Sequence, residues 1–169
     1  MWTRVTTEVS DASLVVAIGR WDRDAFAEVY RRHGGAAYSV GVGVAGVLVS
    51  SYIHFYLYFE GGYRGIAPES FAGLTISRAF AINAVAGLVL AELLVASLIW
   101  PRLRWPAVLG GLGFAAGTLV AYTLTRTSGL LGFHDDHTLT EAVIAVVAEV
   151  VALAALGATL VNRRERHST

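Results

Sequence analysis

Cysteine is absent from the 169-residue chain, which excludes disulfides, thiolate metal sites and thiol catalysis together. Lysine is absent too, so all thirteen cationic residues are arginine and no phosphate-cradling loop with its lysine is possible. Charged residues make up 15% of the chain where a soluble domain carries about a quarter, and the formal net charge of zero gives no global attraction to nucleic acid. The chain also lacks a Gly-x-Ser-x-Gly elbow and a His-Glu-x-x-His helix. These gaps point away from an enzyme and away from a bound cofactor, and no nucleic-acid partner is expected.

Apolar residues fill the space. They are 55% of the chain, and the mean hydropathy is +0.57. A helix needs roughly 20 apolar residues to cross a hydrocarbon layer about 30 Å thick. Four stretches meet that length: Ala37 to Phe59, Ala79 to Trp100, Pro106 to Thr125 and Thr138 to Val161. The expected fold is therefore all-α: an integral membrane four-helix bundle over 37–161, preceded by a short cytoplasmic amphipathic segment at 1–36 and followed by an Arg-rich tail at 162–169.

Arginine placement orients the threading, because positive loops are retained in the cytoplasm. Arg4, Arg20, Arg23, Arg31, Arg32, Arg102, Arg104, Arg163, Arg164 and Arg166 fall on one side, against Arg64, Arg78 and Arg126 on the other. Both termini are thus expected in the cytoplasm, in a multi-pass protein of the inner (plasma) membrane. Trp100 and Trp105 flank two arginines in an inner-face hairpin, Tyr56, Tyr58 and Tyr122 mark the outer boundary, and Thr138 to Glu141 reads as a capping box opening the fourth span. The lipid bilayer is the implied partner, with another membrane protein or a second copy also open.

Packing in lipid relies on close approach at small residues. Gly41, Gly43, Ala45 and Gly46 supply them on the first span, Ala84 and Gly87 on the second, and Gly110, Gly111, Gly113 and Gly117 on the third. Gly113 and Gly117 form a small-xxx-small pair expected to pack inside the bundle.

Ahead of the spans, Leu14, Ile18 and Trp21, then Phe26, Val29 and Tyr30, recur at helical spacing, which predicts two short amphipathic helices within 11–35. The run Ala12 to Ile18 followed by Asp22 to Tyr38 resembles the start of region 2 of extracytoplasmic-function sigma factors. The resemblance implies core positions at Leu14, Ala25, Phe26 and Tyr30, with Trp21 replacing that family's usual glycine. It stops after Tyr38, where the chain enters an apolar run in place of the family's polymerase- and promoter-binding helices. A sigma-like regulatory role is one implied reading, and a membrane-surface helix is the other. The spans, with Gly61-Gly62-Tyr63-Arg64 in the first outer loop, resemble small four-span membrane proteins of actinobacteria.

Several polar groups stand out. Glu92 and Glu149 lie well inside the second and fourth spans, where a carboxylate costs about 2.5 to 3.5 kcal/mol, so both are expected to face the bundle. Counting residues puts them within about 4 Å of one depth. Facing each other they would share a proton and suit proton- or metal-coupled transport of a small solute; hydrogen-bonded apart they would serve packing. Asn83 can bridge to another span, and Arg78 and Arg126 can snorkel outward or pair with Glu60, Asp135 or Asp136. His134, Asp136, His137 and Glu141, with His54 and Glu60, form a second constellation of metal-ligand types, although acids at a helix start also answer its dipole. His54 has no histidine at matching depth with which to hold a haem, and is expected to bond Glu60, a tyrosine or water.

Overall fold

The structure is a computed structural model that describes residues 9–66, 72–136 and 139–167, with side chains as far as Val161 in the last stretch. Among the described residues it is all-helical: α1 (Asp11–Ile18), α2 (Arg23–Phe59), α3 (Ile76–Ile99), α4 (Arg104–Thr127) and α5 (Thr140–His167), with 3-10 turns at Tyr63–Gly65 and Pro101–Leu103. Four of these helices, α2 to α5, are long and apolar enough to cross a membrane. The chain divides into two compact units, 1–38 and 39–169.

In the first unit, Ser10 caps α1 by accepting from the Ser13 N–H at 3.2 Å, and Asp22 caps α2 by accepting from the N–H groups of Asp24 and Ala25 at 2.9 and 3.1 Å. Arg32 ties the two helices, donating to the Val9 carbonyl at 2.8 Å and to Asp11 at 3.0 Å while its Nε donates to Glu28 at 2.6 Å. Leu14 and Ala25 are buried between the helices, but Trp21, Phe26 and Tyr30 are exposed. The expected aromatic face is therefore corrected: the small Ala25 lets the helices meet along Leu14, and the large rings are left outside. Trp21 has φ 63 and is 92% exposed, a left-handed conformation that favours glycine and that no packing of the ring offsets.

The second of the expected short helices runs unbroken into the first expected span. Gly34 and Gly35 interrupt nothing, because glycine weakens a helix interior by only about 1 kcal/mol and no proline follows.

In the second unit the four helices alternate in direction. The α3 to α4 connection is the short Pro101–Leu103 turn, and Pro106 sits in the first turn of α4, where its missing N–H breaks no bond. Thr75 caps α3 through the Arg78 N–H at 3.2 Å. Val40, Val47, Ala91, Leu94, Val108, Ala115, Ala152 and Leu156 fill one half of the bundle, the half toward Arg102 and Arg104. Close approach there depends on particular glycines. A Cβ at Gly46 would lie 2.6 Å from the Ala148 carbonyl oxygen, and one at Gly87 would lie 2.7 Å from Ser51 Cβ. Gly41, Gly113 and Gly117 face open space, so the Gly113 and Gly117 pair does not pack inside the bundle as expected. They lie on the side of α4 turned away from Ala107, Gly111, Ala115 and Thr118, its buried stripe. Thr138 and His137 lie outside the described residues, and with them the capping threonine; Glu141 is in the first turn of α5.

Candidate functional site

Ser50 stands nine residues before the end of α2 and Glu149 nine residues after the start of α5, so both lie about 14 Å below the loops at 1.5 Å per residue. The antiparallel packing of the two helices makes them meet. Ser50 Oγ donates to Glu149 Oε1 at 2.7 Å, and Glu149 is only 2% exposed. The Thr118 hydroxyl of α4 stays with its own helix, donating to the Phe114 and Ala115 carbonyls at 2.9 and 3.0 Å. One turn along α2, His54 Nδ1 donates to the Ser50 carbonyl at 2.8 Å and the ring lies 5.3 Å from that of Phe80. That bond sets the tautomer and leaves Nε2 as an acceptor.

These groups border a cavity of about 100 Å³ that runs from Glu149, Thr118, His54 and Asn83 up to Tyr63, Phe133 and Asp135. A tight turn forms its roof. Leu130 and Phe133 exchange backbone hydrogen bonds of 2.8 and 2.9 Å, and Leu131 and Gly132 between them have φ of 52 and 70. Two successive positive φ values give the mirror-image turn that closes tight hairpins, and the leucine there presses its side chain onto the cluster of Ile53, Leu57 and Ile76.

The roof is bolted to the helices through Asp135. Its N–H donates to the Thr125 carbonyl at 3.0 Å, its carbonyl accepts from Arg126 at 2.9 Å, and its carboxyl lies 4.0 Å from that guanidinium. Tyr63 donates its phenol to the other carboxylate oxygen at 3.3 Å, stacks on Phe80 with centroids 4.4 Å apart, and meets Phe133 edge-on at 5.8 Å. Burial, and then the negative charge of Asp135, push the Tyr63 phenol up to about 12.

Glu92 and Glu149 do not meet, and only Glu149 faces the bundle where both were expected to. Glu92 is exposed on the outer surface of the bundle. The reason lies in the helical period: the buried stripe of α3 is Ala84, Gly87, Ala91, Leu94 and Ser97, and the residue after Ala91 is turned about 100° away from it. Asn83 borders the cavity without bridging to another helix, and its amide has no hydrogen-bond partner among the described residues. His54 bonds its own helix backbone instead of Glu60 or a tyrosine, and Glu60 is exposed. Arg78 donates to the Gly73 carbonyl, and Arg126 pairs with Asp135.

The metal-type residues scatter. His134 and Asp136 form an exposed pair at 3.0 Å, and His137 lies outside the described residues. No group of three His, Asp or Glu able to hold a metal forms among the described residues. Ser50, Thr118, Tyr63 and Asp135 were not singled out by sequence reasoning as parts of this site. A signal existed for Ser50, a hydroxyl at the depth of Glu149 and one turn from His54.

Comparison with family models, curated proteins and solved structures finds no match for this chain.

Proposed function

We propose that the protein is a non-enzymatic, multi-pass component of the plasma membrane, with both termini cytoplasmic, whose bundle binds a small solute in the cavity beside Glu149. The buried Glu149 carboxyl on the border of that cavity carries the reading. Keeping an acid at this depth costs about 2.5 to 3.5 kcal/mol, which the single Ser50 hydroxyl offsets only in part, and packing alone would be served better by leucine.

The packed half of the bundle supports binding from one side. Val40, Val47, Leu94, Val108 and Leu156 are each at most 1% exposed, so the cavity is backed by solid core toward Arg102 and Arg104. The arginine distribution assigns the opposite, loop-bearing side to the exterior. A chamber closed behind and roofed by a loop fits a receptor, or a carrier in its outward state, better than a channel.

The natural lack of cysteine makes the test direct. Ala142→Cys borders the cavity, while Val108→Cys sits in the packed core. In intact cells a membrane-impermeant cationic methanethiosulfonate should label Ala142→Cys and spare Val108→Cys. Failure to label Ala142→Cys, or labelling only from the cytoplasmic side, overturns the reading.

A further inference from the structure

We infer that the solute is a small organic monocation, a compact alkylammonium, with its charge on Glu149 and its apolar body among the cavity's rings. This rests on the cavity being reachable by solute, as proposed above, and adds the chemistry of what enters.

Charge is the first argument. The Glu149 carboxyl accepts from the neutral Ser50 hydroxyl, and no cationic side chain pairs with it among the described residues. Arg126, the cation nearest the roof, is engaged by Asp135. His54 spends its N–H on the Ser50 carbonyl, so its other nitrogen offers a lone pair. An anion entering the cavity meets acceptors and a carboxyl. A cation meets a counter-ion it alone can neutralise, so neither charge is left buried without a partner.

The walls are the second argument. Tyr63, Phe80, Tyr122 and Phe133 border the same cavity, and an aromatic face attracts a cation most strongly when water is excluded. Such walls suit an alkylammonium, which is weakly hydrated and sheds water readily. An inorganic divalent ion needs several oxygen ligands in place of its hydration shell, and one carboxyl at this depth does not supply them. Size is the third. About 100 Å³ is two-thirds of the 150 Å³ of an engineered void that holds benzene, which limits the solute to a compact ammonium and excludes drug-sized molecules.

The experiment is calorimetric titration of the full-length protein in nanodiscs with tetramethylammonium chloride, set against its neutral isostere tert-butanol and against sodium chloride. Tetramethylammonium should bind saturably and the other two should not. Glu149→Gln should weaken it by at least about tenfold, as for a buried charge that loses its partner. Phe80→Leu should weaken it about threefold or more while retaining the acid, and decides the matter if Glu149→Gln fails to fold. Equal binding of tert-butanol overturns the inference. So does absence of tetramethylammonium binding when Ala142→Cys still labels from outside; in that case the chamber stands and only the cation assignment falls. Loss of both overturns the functional reading along with it.

Discussion

Ser50 Oγ donates to Glu149 Oε1 at 2.7 Å across 99 residues of sequence, joining the second helix to the fifth at the depth where both are buried. The bond fixes one carboxylate oxygen and leaves the carboxyl on the border of the cavity. Orientation by a neighbouring hydroxyl is what a binding carboxyl needs: the geometry exists before any solute arrives, so less ordering entropy opposes binding.

Removing that donor should be felt. Ser50→Ala leaves a buried acceptor short of one partner and should destabilise the bundle by about 1 to 3 kcal/mol. Glu92→Leu, exposed on the outer surface seven residues before the end of α3, should be neutral or stabilising, since it trades a lone acid for an apolar side chain. Thermal unfolding in detergent, followed by circular dichroism, measures both. A larger loss for Glu92→Leu than for Ser50→Ala would reverse the assignment of inner and outer acids.

Gly46 sets the approach of α2 to α5. Its absent Cβ would lie 2.6 Å from the Ala148 carbonyl oxygen and 2.9 Å from Ala152 Cβ, and neither of those atoms is the end of a flexible side chain. Gly46→Ala should therefore force the helices apart and cost about 1 to 3 kcal/mol. Gly113→Ala and Gly117→Ala meet nothing within 4 Å and should be neutral or stabilising by up to about 1 kcal/mol, since alanine is the better helix former. The same unfolding assay separates the two groups, and equal losses would mean that Gly113 and Gly117 pack against something.

The roof should loosen in alkali. The Tyr63 phenol, ordinarily near 10.0, is pushed up to about 12 by burial and by Asp135, so the fold favours its neutral form. That preference contributes fully below pH 10, because the phenol is then neutral in both folded and unfolded chains, and is lost as pH rises from about 10 to about 12. The melting temperature should fall across that window in the parent protein. Tyr63→Phe, which has no proton to lose, should remove this component of the slope, and an unchanged slope would contradict the buried Tyr63 to Asp135 bond.

How much of this was legible beforehand varies with the physics of each element. Helix number and approximate position follow from length and apolarity, and Glu149 stood out because an acid in so long an apolar run has few ways to be tolerated. The side on which Glu92 falls was not legible: α3 is apolar on every face, so its 3.6-residue period has no polar stripe against which to set the acid. The unbroken α2 was hidden because the amphipathic stretch 11–35 and the apolar run from Ala37 differ in pattern, although nothing between them ends a helix. The roof depends on Leu131 holding a positive φ, a conformation its side chain disfavours and only tertiary packing imposes. Asp135 stood among the acids open to Arg126, but its bonds to Thr125 and Tyr63 appear only once the chain folds back.

The cavity itself can be tried as a defect or as a site. Ala121 borders it, and Ala121→Leu would place three further carbons in the space. At about 24 cal/mol per Å³, filling some 50 Å³ restores about 1 kcal/mol of packing. A void left by imperfect packing would be improved by that change, with a higher melting temperature and no other consequence. A binding chamber behaves differently, because stability gained by filling it is taken from the ligand. Ala121→Leu should raise the melting temperature and, in the same protein, reduce labelling of Ala142→Cys and binding of tetramethylammonium by about tenfold or more. Stabilisation with both of those intact would mark the space as a packing flaw, and the carboxyl beside it as a structural group alone.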